Sequence, residues 1–367
     1  MKLRKLSGLT LLMGAVLLTG CLKSESSNNN NQEYLVTKGA YIINAGDLAN
    51  GIDGSLSFID YNTATVNKNI YPIGQNPSDV MVYGNKVYVV GCGTNTIYVF
   101  DKNTNTLLDK INTVDEMGDE AGFEPCYATA YGSNAYVSTH GGYVAVIDTT
   151  SLTITNKIKV GSYPEGMGVG TTKDSNGNIK EASLYVANSD NGNGNGSISK
   201  INLGTGSVSE IKNESIKNPR RIVVGGSTAF VLDAGTIDEN GNQKDAGVYM
   251  LADNTVSLLI KDATGMTAGG SSIITYNYPK GSSKVEYKVC NIYYNSLSSF
   301  YLSGDTSKPI TNPSAICIDP NVGYLLIANP GYVNMYDGNG NFVKSFDVGE
   351  NPVAISYSYG TQKYKSK

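Results

Sequence analysis

The sequence has no tryptophan, one histidine and few charged residues, and each shortage excludes a class of protein. Charged residues make up 16% of the 367-residue chain, against about 25% in ordinary globular domains. A single histidine excludes metal sites built from several histidines, and with them the usual kinds of zinc centre. Neither a G-x-S-x-G motif nor a P-loop occurs. We therefore expect no metal, no cofactor and no enzyme of a familiar class.

Turn residues and tyrosine are abundant instead. The chain contains 42 glycines and 26 tyrosines, and 40% of its residues are hydrophobic. Glycine costs about 1 kcal/mol at each helical site, so long helices are unfavourable. A hydrophobic content this high excludes disorder. The net charge is −4 without a visible basic patch, which makes nucleic acid a poor partner. The composition predicts many short strands joined by tight turns.

The first residues have the order of a secretory leader. A basic start is followed by an apolar stretch from Leu9 to Leu18 and then by Leu18-Thr19-Gly20-Cys21, which resembles a bacterial lipobox. This order predicts a lipoprotein signal peptide over residues 1–20 and lipidation of Cys21. The polar residues that follow predict a flexible tether over 21–37. The alternative is an ordinary signal peptide with an incidental cysteine.

Three landmarks recur in a fixed order after the tether. The first is a residue–proline pair that opens a short strand: Asn76-Pro77, Glu124-Pro125, Tyr163-Pro164, Asn218-Pro219, Asn312-Pro313 and Asn351-Pro352. A seventh opening, near Ala268, lacks its proline. The second landmark is an apolar strand that ends in small or polar residues, such as Leu184 to Asn188, with Val289 to Asn295 as the least regular copy. The third is a strand that runs into an Asp or Asn turn, such as Phe100-Asp101.

This repeat predicts an all-β fold, a seven-bladed β-propeller with four-stranded blades over residues 38–360. The last repeat contributes a single strand from Asn351, which we expect to complete the first blade and close the ring. Residues 361–367 are interpreted as a polar tail. Six or eight blades stay possible if the irregular stretch 263–310 is misread.

The segment Tyr185-Val186-Ala187-Asn188 and its copies resemble the Tyr-Val-Thr-Asn repeats of YncE-like seven-bladed propellers. Combined with the lipobox, the chain resembles the surface lipoproteins of Bacteroidetes of the BtuG type. The resemblance implies a lipid-anchored, surface-exposed protein of the outer membrane. It also implies capture of cobalamin (vitamin B12) or a related corrinoid and delivery to a TonB-dependent outer-membrane transporter.

The loops that break the repeat length predict which face binds. They are residues 46–54, 113–123, 189–196 and 235–247, and all belong to the face that carries the openings and the ends of second strands. Aromatic rings and Asn, Asp or Arg side chains suit a flat ligand rimmed by amides. The candidate ligand contacts on this face are Asn76, Glu124, His140, Tyr163, Asn188, Arg220, Arg221, Asp233, Tyr294, Asn329 and Tyr332. The alternative is that these are turn and packing residues.

Two further functions stay open. Glu124 and Glu165 both open blades, so a carboxylate-based enzyme of the lactonase or lyase kind is one alternative. His140 is the one histidine that could act as a base or bind cobalt. The other alternative is a scaffold that binds a protein or a glycan.

Four cysteines remain after Cys21. Exported proteins often hold disulfides, and these four lie on strands of neighbouring repeats. We predict the pairs Cys92–Cys126 and Cys290–Cys317, with four free thiols as the alternative.

Overall fold

The computed structural model describes residues 33–239, 243–252, 255–278, 284–294, 296–303 and 307–363. Cys21 and the predicted signal peptide lie outside these residues. The elements have these bounds in chain order: β1 (Glu33–Asn44), β2 (Gly54–Asp60), β3 (Thr65–Gly74), β4 (Pro77–Tyr83), β5 (Lys86–Gly91), β6 (Thr96–Asp101), β7 (Leu107–Asn112), α1 (Thr113–Met117), β8 (Pro125–Tyr131), β9 (Asn134–Thr139), β10 (Tyr143–Asp148), β11 (Ile154–Lys159), β12 (Pro164–Lys173), β13 (Ile179–Asn188), β14 (Ser197–Asn202), β15 (Val208–Ile211), β16 (Pro219–Gly225), β17 (Thr228–Asp233), β18 (Thr236–Ile237), β19 (Gln243–Lys244), β20 (Gly247–Ala252), β21 (Thr255–Lys261), β22 (Gly265–Gly269), β23 (Ser272–Asn277), β24 (Glu286–Asn291), β25 (Ser296–Phe300), β26 (Ala315–Ile318), β27 (Leu325–Asn329), β28 (Tyr332–Tyr336), β29 (Phe342–Asp347) and β30 (Pro352–Lys363).

These strands form seven four-stranded antiparallel sheets, the blades of a β-propeller. Blade 1 has the order β30-β1-β2-β3, and blades 2, 3 and 4 are β4 to β7, β8 to β11 and β12 to β15. Blade 5 is β16-β17-β20-β21 with the small hairpin β18–β19 inserted, and blades 6 and 7 are β22 to β25 and β26 to β29. First strands of successive blades contact one another around a ring. The predicted seven-bladed propeller is therefore confirmed.

The C-terminal strand closes the ring as predicted. β30 pairs with β1 from Glu33↔Lys363 to Asn44↔Pro352. This pairing places the last strand innermost in blade 1 and leaves the first and last blades joined like any other pair. It also corrects two boundaries. β1 begins inside the predicted tether and β30 extends into the predicted tail, because each segment supplies the other with backbone partners.

Seven clusters of buried apolar residues lie between neighbouring blades. Tyr41 and Ile43 of β1 pack towards blade 2, whereas Ala40 and Ile42 pack towards blade 7. Alternate residues of one strand therefore enter two different cores, which explains why the second strands are continuous apolar runs. The remaining clusters repeat this arrangement around the ring.

The Asp and Asn landmarks form the hairpins between third and fourth strands. Asp101 Oδ1 accepts hydrogen bonds from the backbone N–H groups of Asn103 and Thr104, each at 2.9 Å. Asn202 does the same for Gly204 and Thr205. Side chains that bond to the backbone two residues ahead stabilise such turns locally. Third-to-fourth hairpins lie on one face of the ring, and second-to-third loops and blade connections lie on the other.

Blade 6 differs from the prediction. Its second strand is β23, whereas Val289 lies in the third strand β24. Tyr294 then belongs to the hairpin before β25, which lies on the face opposite the predicted one. Second and third strands are both buried on two sides, so hydrophobic periodicity does not tell them apart. The missing proline near Ala268 removed the landmark that marks the register elsewhere.

Helices are few and short in the described ranges. α1 covers five residues in the connection between blades 2 and 3. Among the residues described, no helix combines the length and the apolar character needed to cross a membrane.

Candidate binding site at the channel mouth

A cavity of about 380 Å³ occupies the centre of the ring. First strands from all seven blades line it, and both charged and apolar side chains reach its wall. Representative wall residues, one from each blade, are Val353, Asp79, Cys126, Glu165, Arg221, Met266 and Ile316. The cavity is of a size that holds a small molecule or one group of a larger ligand.

At one end of this cavity, His140 lies between two carboxylates. Its Nδ1 is 2.9 Å from Glu124 Oε2, and its Nε2 is 3.7 Å from Glu165 Oε1. A carboxylate accepts hydrogen bonds, so Nδ1 donates to Glu124. Nε2 is buried and makes no hydrogen bond. The imidazole side chain is 11% exposed.

Tyr163 lies face to face with this imidazole. The two ring centroids are 3.9 Å apart and the planes differ by 16°. Burial, followed by the nearby carboxylates Glu124 and Glu165, raises the pKa of the Tyr163 hydroxyl. The hydroxyl is therefore a neutral donor and acceptor at physiological pH. The stacked pair forms a flat aromatic surface beside charged groups.

Glu165 connects the mouth to the cavity. The guanidinium of Arg220 donates to Glu165 Oε1, and the thiol of Cys126 donates to Oε2 at 3.1 Å. Burial and the Glu165 charge raise the pKa of Cys126 well above its ordinary value. Burial and the carboxylates of Glu124 and Glu165 raise the pKa of Cys92 to about 12. Both sulfurs are thiols in the absence of a cation.

Three consecutive blades supply the interacting group of Glu124, His140, Tyr163, Glu165 and Arg220, which we call the His140 cluster. Glu124 and Tyr163 precede the prolines that begin β8 and β12, and Glu165 is the second residue of β12. Asn95 Oδ1 accepts from the backbone N–H of Glu124 at 2.8 Å, which holds the opening of blade 3. The next loop, with His140, bonds through its backbone N–H to the Glu124 carbonyl.

Four of the six residue–proline openings adopt left-handed backbone angles. Asn76 and Asn351 have φ of 46° and 50°, and Glu124 and Tyr163 have φ of 48° and 54°. Asparagine tolerates this region, whereas Glu and Tyr are strained there. The two openings that depart from Asn are those that carry the cluster. Strain of this kind is typical of functional sites.

Asp79, Tyr127 and Arg221 lie together in the channel wall. Asp79 Oδ2 accepts from the Ala128 N–H at 2.9 Å, and the Arg221 guanidinium lies 5.8 Å from the centre of the Tyr127 ring. Burial raises the pKa of Asp79 to about 7, although the Ala128 N–H and Arg221 both act to lower it. Arg221, predicted as a mouth residue, thus lies in the channel wall. Asp79 and Tyr127 were missed because nothing marks them within an apolar strand.

Three predicted contact residues have structural roles instead. Asn188, Asp233 and Asn329 end second strands and are buried. Asn188 Nδ2 donates to Ser197 and Ser199. Asp233 accepts from backbone N–H groups of its own blade's opening and from the Gly235 N–H that follows it. Asn329 accepts from two backbone N–H groups in the blade 7 opening. Their side chains hold loops rather than face the cavity.

The other predicted contacts divide between the two faces. Tyr294 is 82% exposed on the opposite face, for the reason given for blade 6. The Tyr332 hydroxyl donates to the Pro309 carbonyl and accepts a hydrogen bond from Asn329 Nδ2, so it stabilises the blade 7 opening. Asn76 is exposed at the blade 2 opening, next to the loop of Gly93. Of the predicted set, the structure brings together Glu124, His140, Tyr163 and Arg220.

The predicted disulfides are not formed. Cys92, Cys126, Cys290 and Cys317 are free thiols. Cys290 belongs to the third strand of blade 6 and packs against blade 5, whereas Cys317 packs against blade 1. The misassigned strand in blade 6 explains that error. Cys92 and Cys126 both border the His140 cluster, where Cys126 is bonded to Glu165 instead.

Two overlapping groups in the described chain have the composition of metal ligands. They are Cys92, Glu124 and His140, and Cys126, His140 and Glu165, with the donor atoms of each group within 4.8 Å of one another. Each group uses the single histidine, so the exclusion of sites with several histidines does not apply to them.

No protein-family model and no curated protein matches the chain. Among solved structures it is similar to the hydrazine synthase of Kuenenia stuttgartiensis, with a TM-score of 0.60 and 16% identity over 76% of this chain and 89% of that one. It is also similar to the WD40 repeats of RRP9, with a TM-score of 0.57 and 7% identity over 76% and 83%. U3-55K gives a TM-score of 0.55 and 8% identity over 76% and 84%. Identities this low show the propeller fold alone.

Proposed function

We propose that this propeller captures a polar small molecule at the mouth of its central channel, and that the molecule is cobalamin or a related corrinoid. The observation that carries the proposal is the gathering of Glu124, His140, Tyr163 and Arg220 from three blades beside one cavity, whose wall includes Arg220 and Glu165. A flat ring held at this point has an aromatic surface on one side and charged groups at its edge.

The shape of the site agrees with a ligand that lies across the mouth. A corrin ring is too wide for a 380 Å³ channel, so it would cover the opening rather than enter it. Its edge amides offer donors and acceptors, which match the carboxylate of Glu124 and the half-exposed guanidinium of Arg220. The described parts of the four irregular loops lie on the same face and supply further contact area.

Capture and delivery are consistent with a protein anchored at the membrane. A lipid attached to Cys21 would hold the propeller at the outer-membrane surface, beside a TonB-dependent transporter that receives the ligand. The resemblance to YncE-like and BtuG-type propellers supports this part of the proposal.

Retention of a coloured ligand tests the proposal directly. Purified protein is mixed with cyanocobalamin, desalted, and its visible absorbance is compared with the protein concentration. We expect stoichiometric retention, and at least a tenfold weaker affinity in Tyr163→Ala and in Arg220→Ala. Tyr294→Ala removes an equally large side chain from the opposite face and should bind normally. A colourless protein fraction at high concentration would overturn the corrinoid assignment.

A hydrolytic or lyase activity is the second candidate. The observation in its favour is the imidazole between two carboxylates, an arrangement that suits proton transfer. Turnover of a lactone panel that disappears in Glu124→Gln and persists in Glu181→Gln, a carboxylate outside the cluster, would favour an enzyme over capture.

A further inference from the structure

The orphaned nitrogen of His140 points to an occupant of the cluster. Nε2 is buried without a hydrogen-bond partner, although the carboxylates of Glu124 and Glu165 lie beside the ring. A buried ring nitrogen without a hydrogen-bond partner loses its hydration without compensation. A cation bound to its lone pair would provide that compensation.

The other ring nitrogen is held in the manner of a metal-bound histidine. Nδ1 donates to Glu124 Oε2 at 2.9 Å, so the carboxylate occupies Nδ1 and Nε2 is the nitrogen that faces Glu165. Histidine ligands commonly have such a carboxylate behind them, because it orients the ring and raises the basicity of the ligating nitrogen. Glu124 is therefore a positioning residue. Its 2.9 Å contact with Nδ1 is a hydrogen bond, so we do not count Glu124 among the metal ligands.

The free nitrogen faces a thiol and a second carboxylate. Nε2 lies 3.7 Å from a Glu165 oxygen, and Cys126 Sγ lies 3.1 Å from the other oxygen. With bonds of 2.0 to 2.3 Å, two ligands of a tetrahedral zinc ion are about 3.3 to 3.8 Å apart. All donor atoms of this group lie within 4.8 Å of one another. Small side-chain adjustments bring the three to one ion.

We propose that Cys126, His140 and Glu165 form a binding site for a zinc-class divalent transition metal at the channel mouth. Sulfur, imidazole and carboxylate together suit Zn²⁺ rather than Ca²⁺ or Mg²⁺, which take oxygen ligands. On binding, the Cys126 thiol gives its proton to solvent and the thiolate replaces its hydrogen bond to Glu165 with a bond to the metal. Arg220 stays paired with Glu165 and balances the added negative charge of the thiolate.

The site extends the proposed capture function without depending on it. Three protein ligands leave a fourth position for water or for a donor atom of a bound molecule. Cys126 and Glu165 belong to the cavity wall as well, so that position adjoins the space where we place the ligand.

Metal titration tests the site on the intact protein. Protein purified without a histidine tag, since His140 is the only histidine, is treated with chelator and titrated with ZnCl₂ by calorimetry. Metal content after desalting is measured by mass spectrometry. We expect one zinc per chain, loss of this binding in Cys126→Ser and His140→Ala, and 10- to 100-fold weaker binding in Glu124→Gln. Cys317→Ser, another thiol of a first strand, should bind as the parent does.

Cobalt substitution identifies the sulfur ligand. Bound Co²⁺ should show a thiolate charge-transfer band in the parent protein and in Cys92→Ser, and none in Cys126→Ser. This spectrum of the parent protein does not rely on any variant folding. Sub-stoichiometric zinc, a cobalt spectrum without a thiolate band, or loss of the band only in Cys92→Ser would each overturn the assignment. No corrinoid is present in these measurements, so failed cobalamin retention leaves their result unchanged.

Discussion

The imidazole of His140 and the ring of Tyr163 lie 3.9 Å apart and nearly parallel, although they come from different blades. Tyr163 belongs to the opening of blade 4, and His140 belongs to the second-to-third loop of blade 3. Stacking across this blade boundary helps to hold the imidazole, whose Nδ1 is bonded to Glu124. Contacts between blades therefore assemble the mouth. Substitutions at the blade openings should change ligand binding there.

Exchange of residues between two openings tests whether the strain at the site is functional. Glu124→Asn removes a strained left-handed glutamate, so the free energy of unfolding should stay within about 1 kcal/mol of the parent value or rise. Ligand binding at the mouth should fall because His140 loses its carboxylate. Chemical denaturation and cobalamin retention measure the two effects.

The reciprocal change is the matched control. Asn76→Glu places glutamate at φ 46°, outside the cluster, and should cost about 1 kcal/mol of stability while binding is kept. A loss of more than about 2 kcal/mol in Glu124→Asn would show that Glu124 is structural rather than functional.

Gly141 should be irreplaceable in the loop that carries His140. A Cβ at this position would lie 1.7 Å from the Glu120 carbonyl oxygen, so Gly141→Ala must displace the loop. We expect a loss of about 1 to 3 kcal/mol in unfolding free energy and weakened binding at the mouth. Gly338→Ala, where the nearest neighbouring atom would be 3.7 Å away, is the control. Equal stability of the two variants in urea denaturation would contradict this account.

Asp79 should make the protein less stable as the pH rises. Burial raises its pKa from 3.8 to about 7, so the folded state keeps a proton that the unfolded state releases between these values. Stability contributed by this group is present below pH 4 and is lost as the pH rises towards 7. Asp79→Asn keeps an acceptor for the Ala128 N–H and removes this loss.

Between pH 4.5 and pH 8 the free energy of unfolding of the variant should therefore rise relative to that of the parent, by about 3 kcal/mol. Urea denaturation of both proteins at the two pH values measures the gain. Parallel stability profiles would show that Asp79 ionises at its ordinary pKa.

The cysteines should react slowly in the folded protein. Burial and neighbouring carboxylates raise the pKa of Cys92 to about 12, and burial raises the pKa of Cys317 to about 12. The thiolate is the reactive form, so little of either is available at pH 8. A disulfide-exchange reagent should detect four thiols besides Cys21 in denaturant and react slowly without it. Two thiols in denaturant would restore a predicted bridge.

Much of the fold could be predicted from the sequence because its determinants are local. The turn at Asp101 bonds to its own next residues, and alternate residues of β1 enter opposite cores. Such patterns repeat along the chain and identify blades, turns and the closing strand. They failed in blade 6, where second and third strands are buried alike and the proline landmark is missing.

The candidate site could be predicted only in part. Glu124 and Tyr163 stand out in sequence as openings without asparagine, and His140 as the only histidine. Asn188 and Asp233 looked equally suitable, yet Asn188 Nδ2 and the Asp233 carboxylate are bonded within their own blades. Sequence spacing reports the position of a residue in its blade, and it does not report which partner already holds its side chain.

The sequence by itself determined the blade repeat, the turns and the ring closure, since each depends on neighbours along the chain or on a periodic hydrophobic pattern. Only the tertiary structure decided that Glu124, His140 and Glu165 meet, and that Cys126 joins Glu165 instead of another cysteine. The physical reason is that these contacts cross blade boundaries. Their geometry depends on how the whole ring packs and not on any single repeat.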